Sequence, residues 1–474
     1  MANSFLKREV STGTNQKTWT VSAWIKMSRT GVSHTIFGSD VQDDGSNYGS
    51  LSIEADGLLK FINLQGGSLV TNFQSNRKLL DLTSFYHIVL RVDTTQGSAG
   101  DRIRLYVNGI QETSWAYSTN SASQNADTGV FKSGNATLVG TRISTGGNNF
   151  EGNIAHMHII SGQSHPPSVF GETDSLTNEW KPKLNPTGIT YDSANSAFLK
   201  FENAGALGTD SSGQSNTFAV NGNLKQSNST PSNLFPIIHD FEIQHTNKIL
   251  NAGTSLLSYA NNTNGANCTM MVAKGKWYWE VKSETDATNE SYAIQLYKNG
   301  SHAAYMWRFD PNNSQVGRIA NGSGITYLPN NTTTNSAPKF IFENSATNYG
   351  VAATANDIVM CALDLSGATA KLWFGKNGTW HNAPGGSNVG VPHTGAYPGL
   401  SFAKGDDFWG INISSGSNAA NNGERDTHIN FGTGFFGTVA VASANEDDNG
   451  VGIFEYDVPA GFYAICTKNI KSYG

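Results

Sequence analysis

Charge is scarce in this chain. Only 14% of its 474 residues are Asp, Glu, Lys or Arg, and the net formal charge is −6. No basic tract gathers the 31 cationic residues and no RNA-binding aromatic signature accompanies them, which argues against a nucleic-acid partner. Cysteine is nearly absent: Cys268, Cys361 and Cys466 are far apart and form no C-x-x-C, so zinc and a disulfide framework are both disfavoured. They read as reduced small hydrophobes at strand positions. No run of 18 apolar residues exists, so no membrane insertion is expected. The opening MANSFLKREV lacks the apolar segment of a secretory leader, and the expectation is a soluble protein folded in a cytoplasm. Long amphipathic helices and a fixed-period repeat are missing too, which disfavours solenoids and propellers.

What the chain has is turn residues and alternation. Gly alone accounts for 51 positions, and Asn, Ser and Thr are abundant, as many tight turns require. In TWTVSAWIKMS (18–28), Trp19, Val21, Ala23, Ile25 and Met27 share one face, the period of a half-buried strand. Further runs of this kind recur through FYHIVLRVD (85–93), DRIRLYVNGIQET (101–113) and GNIAHMHIISG (152–162). Asn108-Gly109 and Asn377-Gly378 each sit between apolar runs as hairpin turns. After residue 164 the texture becomes polar and Pro-rich, with two short strand-like pieces, SAFLKFENAG (196–205) and SNTFAVNGNL (215–224). The second half returns to strands, including KWYWEVKSE (276–284), DIVMCALDL (357–365), TAKLWFGK (369–376), GIFEYDV (452–458) and FYAICTK (462–468). The fold class read from this is all-β: two antiparallel β-sandwiches at 1–164 and 241–474, joined by a connecting segment at 165–240.

Particular motifs narrow the family. KTWTVSAWIKMS, SFYHIVLRVD, RIRLYVNG and FEGNIAHMHIISGQ, in that order, resemble the laminin-G-like, concanavalin A-like lectin domains over residues 3–164. SVFGETDSLTNEWKPK resembles the segment that follows such domains in structural proteins of marine tailed bacteriophages. GKWYWEVKSE, MCALDLSGATAKLWFGKNGTW, YPGLSFAKG, HINFG and DVPAGFYAICTKNI resemble a SPRY domain, with an ending similar to the phage version. The run 285–356 departs from that pattern by its length and Asn content. The resemblance implies a non-enzymatic protein of the virion surface, made in the host cytoplasm. Its partners would be other virion proteins and host-surface polysaccharide, and avidity favours a homo-oligomer. A purely structural, protein-binding role and a glycoside hydrolase are the alternatives.

Candidate chemistry is thin. A glucanase would need acidic residues on one strand face; the nearest pattern, Glu284 to Glu290, has one residue too many, falls in the second half of the chain, and as a turn between two strands needs no catalytic explanation. No G-x-S-x-G elbow precedes a helix, so no catalytic residue is assigned. His156 and His158 could ligate a metal, but their alternation with Ala155, Met157 and Ile159 reads as the solvent-facing side of a half-buried strand. Asp40, Asp43, Asp44 and Asn47 cluster hard oxygen ligands; calcium, which the lectin resemblance favours, and a simple Asp-Asp-Gly turn are both open readings, and no other cofactor is expected. Glu446 to Asn449 reads as a solvated hairpin tip. For carbohydrate, the candidates are aromatics that the strand pattern leaves unburied, namely Trp115, Tyr117, Tyr327, Trp380, His381 and Trp409. In GKWYWEV (275–281), period 2 sends Trp277, Trp279 and Val281 to the core and Lys276, Tyr278 and Glu280 to the other face.

Overall fold

The structure is a computed structural model. It describes residues 4–40, 45–120, 122–143, 145–175, 178–239, 248–250, 253–258, 264–284, 291–298, 324–328, 339–342, 345–416 and 425–474. The chain divides into two compact units, 1–226 with 230–232, and 227–229 with 233–474.

Strands of the first unit begin with β1 (Phe5–Glu9), β2 (Thr18–Met27), β3 (His34–Asp40), β4 (Tyr48–Ile53), β5 (Leu58–Gln65) and β6 (Ser68–Lys78). They continue with β7 (Tyr86–Asp93), a single helical turn α1 (Ala99–Arg102), β8 (Ile103–Val107), β9 (Ile110–Gln111), β10 (Trp115–Asn120), β11 (Ala136–Val139) and β12 (Gly152–Ser161). Four short strands follow: β13 (Gly171–Thr173), β14 (Trp180–Pro182), β15 (Ala197–Leu199) and β16 (Ala219–Asn221). One sheet runs β10-β6-β5-β4-β3-β11-β1-β16 and a second runs β15-β12-β2-β7-β8-β9, all antiparallel in register. The alternation of β2 buries Trp19, whose ring meets Phe37, Phe61 and Phe131 at 6.1–6.3 Å. Asn108 and Gly109 take φ of 48° and 81°, the left-handed pair a two-residue hairpin needs, and join β8 to β9.

Up to residue 226 the connecting segment is built into this unit, whereas residues 233–239 belong to the second. β15 pairs with β12 and β16 with β1, and Arg8 donates to Asn195 Oδ1 and Asn216 Oδ1. This corrects the reading of His156 and His158. Their side of β12 is covered by residues 165–200: His158 is buried, stacked on Phe198 with centroids 4.0 Å apart, and within 2.7 Å of the Tyr191 hydroxyl. A β-bulge between Ala155 and His158 breaks the simple alternation, and His156 takes φ +45° there. Another buried histidine, His87, is clamped on both ring nitrogens. Trp180 Nε1 donates to Nδ1 at 3.0 Å, so the neutral ring carries its proton on Nε2 and gives it to Ser22 Oγ, 2.8 Å away. Burial alone pushes its pKa down to about 3.

The second unit contains β17 (Lys248–Leu250), β18 (Ser255–Ser258), β19 (Asn264–Val272), β20 (Lys276–Ser283), β21 (Ser291–Lys298), β22 (Gly324–Leu328), β23 (Lys339–Phe342) and β24 (Ser345–Asn348). It goes on with β25 (Ile358–Asp364), β26 (Thr369–Lys376), β27 (Thr379–Trp380), β28 (Leu400–Ala403), β29 (Trp409–Gly416) and β30 (Arg425–Asn430). Short β31 (Phe435–Phe436), β32 (Val439–Ala440) and β33 (Tyr463–Ala464) and the helix α2 (Thr467–Tyr473) complete it. The larger sheet follows β17-β18-β30-β20-β25-β26-β27, with β28 on β26 and β33 on β20; the other follows β19-β29-β21-β22-β23-β24.

β20 carries the aromatic run into the core. Trp277, Trp279 and Val281 are fully buried, at a few kcal/mol per indole for ~25 cal/mol per Å². Tyr278 and Glu280, expected on an outer face, are buried as well. The chain around 454–456 lies over them: Phe454 meets the Tyr278 ring edge-on at 4.9 Å, and the Glu455 and Tyr456 N–H groups donate to Glu280 Oε2 and Oε1 at 3.0 and 2.9 Å. Two further corrections follow. GIFEYDV forms no regular strand, and FYAICTK keeps only Tyr463–Ala464 as strand before α2 begins at Thr467. Side-chain anchors replace the ladder there, and Asp447 is one of them rather than part of a solvated tip. It is buried, accepting from Asn449 and Val451 N–H through Oδ1 and from Ala464 N–H and Asn469 Nδ2 through Oδ2. All three cysteines are buried free thiols. No helix among the described residues is long and apolar enough to cross a membrane.

Candidate functional site

The aromatics singled out for carbohydrate are divided between the two units. Trp115 and Tyr117, expected in a loop, stand on β10, an edge strand of the first unit paired with β6. Trp115 is half-buried against Phe73, 4.8 Å between centroids, whereas Tyr117 is 50% exposed. Tyr327 is on β22, across from Ile294 and Phe340 in the register. Trp409, expected at the surface, is 5% exposed and packs edge-on against Phe402 at 4.9 Å, because it opens β29 between β19 and β21.

Trp380 and His381 do converge on a cleft. The Asn377-Gly378 turn, with φ of 46° and 85°, reverses the chain from β26 into β27 and delivers Trp380 opposite Gly375. His381 N–H then donates to Phe374 O at 3.0 Å, which holds the imidazole against the edge of Tyr349, 5.6 Å between centroids. The Tyr349 hydroxyl bonds the main chain of Phe374 and fixes the neighbouring strand. At Gly350 (φ 90°) a Cβ would come within 2.5 Å of the His381 ring, so only glycine lets the chain pass so close. Burial lowers the His381 pKa to about 4, and the ring is neutral near neutral pH.

Trp380 is half-buried and shared by two depressions. The first, about 610 Å³, runs past Tyr349, Val351, Asn377, Thr379, His381 and Asn382. The second, about 550 Å³, runs past His393, Ser443, Asn445, Glu455, Tyr456 and Asp457. From inside, Tyr278 supports the indole edge-on at 6.4 Å. An apolar ring wall with amide and hydroxyl groups on the first rim, and amide, hydroxyl and carboxylate groups on the second, can take a ligand with alternating C–H and hydroxyl surfaces. Sequence reasoning found Trp380 and His381 because they follow an Asn-Gly turn. It missed Tyr349, inside the Asn-rich run, and Tyr456, within a stretch read as strand.

Of the acidic loop read as a calcium candidate in the first unit, Asp40 and Asn47 are described. Asp40 is buried on β3, and Asn47 spends its side chain on the Gly66 N–H (3.2 Å) and Ser46 Oγ (3.3 Å). Asp43 and Asp44 fall outside the described residues.

Residues 6–169 match the concanavalin A-like lectin/glucanases superfamily. No curated protein matches the chain. Among solved structures, it is similar to the native heptameric SAP-like pentraxin from Limulus polyphemus, at 16% identity and TM-score 0.26, covering 35% of this chain and 72% of that one. It is also similar to the SPRY domain of human HERC1, at 16% identity and TM-score 0.24, covering 39% and 91%. The Ruminococcus gnavus IT-sialidase CBM40 bound to alpha2,3 sialyllactose is similar at 13% identity and TM-score 0.25, covering 32% and 80%.

Proposed function

We propose that this is a non-enzymatic carbohydrate-binding protein whose second unit takes a glycan at the Trp380 cleft. One observation carries the reading: a half-exposed indole forms the common wall of two depressions, each in the size range of small-ligand sites and each rimmed by polar side chains. The indole would cover the C–H face of a sugar ring while the rims pair with its hydroxyls. The lectin-superfamily match of residues 6–169 supports a carbohydrate for the first unit as well, with exposed Tyr117 on edge strand β10 as its contact. Placement on a phage virion surface, with host polysaccharide as the ligand, rests on the resemblance of SVFGETDSLTNEWKPK and the DVPAGFYAICTKNI ending.

Calorimetric titration of the full chain with host-surface polysaccharide tests this. Trp380→Ala is expected to weaken binding by about 30-fold, the loss of an aromatic anchor of ~2 kcal/mol, with the unfolding midpoint kept close to that of the parent. Equal affinity in parent and variant would remove the cleft from the account. A protein-docking role is the second reading, favoured by Val351 at 62% and Val389 at 47% exposure on the cleft wall. It predicts that Val351→Ser abolishes capture of a virion protein and that the parent binds no polysaccharide.

A further inference from the structure

Away from the cleft, in the larger sheet of the second unit, three ligand-bearing side chains converge. β30 carries Asp426 and His428 two residues apart, so they share one face, while Ile429 enters the core from the other. On one side β20 places Lys282 across from His428, and on the other β18 places Ser255 across from it. Glu284 follows β20 directly, and its N–H donates to the Asp426 carbonyl at 3.0 Å, which fixes it beside Asp426. One ligand atom from each of Glu284, Asp426 and His428 lies within 4.8 Å of the others.

The imidazole supplies the second observation. His428 is 3% exposed, and its Nδ1 sits 2.7 Å from Ser255 Oγ. Its other nitrogen, Nε2, is 3.1 Å from Glu284 Oε1, yet the direction of approach leaves it without a hydrogen-bond partner. That distance without that direction is what a shared cation produces. Two atoms each about 2.1 Å from one ion stand roughly 3.0–3.4 Å apart for angles at the ion between octahedral and tetrahedral, and their lone pairs point at the ion instead of at each other. Ser255, holding the ring through Nδ1, occupies the place of the outer partner that orients a metal-bound histidine.

We propose that Glu284, Asp426 and His428 bind one divalent cation of the Zn²⁺ or Mn²⁺ kind, linking β18, β20 and β30. An imidazole with two carboxylates suits these ions, whereas Ca²⁺ favours an all-oxygen shell. Lys282, across from His428, brings the positive charge that the ion must outcompete.

Calorimetric titration of the full chain with ZnCl₂, and separately MnCl₂, tests the site. The parent is expected to bind one ion and to unfold at a higher temperature with it. Glu284 is exposed, so Glu284→Gln keeps the fold, and its affinity is expected to fall at least about tenfold. Asp426→Asn is expected to do the same, and both lose the thermal shift. Unchanged Zn²⁺ affinity in both variants would mean adventitious binding elsewhere and overturn the site, as would no binding of either ion by the parent.

Discussion

Glu280 is the residue on which the second unit's outer layer turns. Its carboxyl group is fully buried and takes donors from the Tyr278 hydroxyl, Asn430 Nδ2 and the N–H groups of Glu455 and Tyr456. Burial pushes its pKa up to about 7, against the pull of those four donors. A raised folded-state pKa contributes stability that is present below the ordinary carboxyl range and lost as pH rises through 7. In Glu280→Gln the amide nitrogen must face two donors, a cost of roughly 1–3 kcal/mol. Urea unfolding at pH 5 and pH 8 should therefore show the parent's advantage over Glu280→Gln narrowing as pH rises. An advantage that stays the same at both pH values would mean the carboxyl is ionised throughout.

At the scale of elements, alternation was legible and coverage was not. Period 2 sent Trp277, Trp279 and Val281 inward correctly, because one sandwich face must be buried whatever else the chain does. It could not show Tyr278 and Glu280 buried too, since their cover comes from residues 454–456, far along the chain. His158 was misplaced for the same reason, and Trp409 because it stands one residue after an apparent loop, at the first position of β29. Asn-Gly turns, in contrast, are local chemistry, and both were placed from sequence. Trp180 shows how a local turn acquires a distant constraint: a Cβ on Gly109 would lie 2.8 Å from its ring, and one on Gly171 2.6 Å. Gly109→Ala thus meets both a positive φ and the indole, and is expected to destabilise the first unit by about 1–3 kcal/mol in thermal unfolding. A change below a few tenths of that figure would show that Trp180 yields freely. Of the candidate site, Trp380 and His381 were readable from the turn before them; Tyr349, Asn382 and Tyr456 were brought to it by tertiary packing.

The whole molecule comprises two β-sandwich units, the first matching a lectin superfamily over residues 6–169 and the second holding the Trp380 cleft. Two weak sites on one chain, repeated in an oligomer, would give avidity without a deep pocket in either unit. Carbohydrate capture at Trp380 is the central claim. It is tested most directly by a crystal structure of the full chain with a bound oligosaccharide from the polysaccharide that it recognises. The account predicts a sugar ring lying flat on Trp380, within about 4 Å of the indole, with its hydroxyls on the Asn377, Thr379 and Asn382 rim. Sugar density only at other surfaces, with Trp380 bare at saturating ligand, would contradict it.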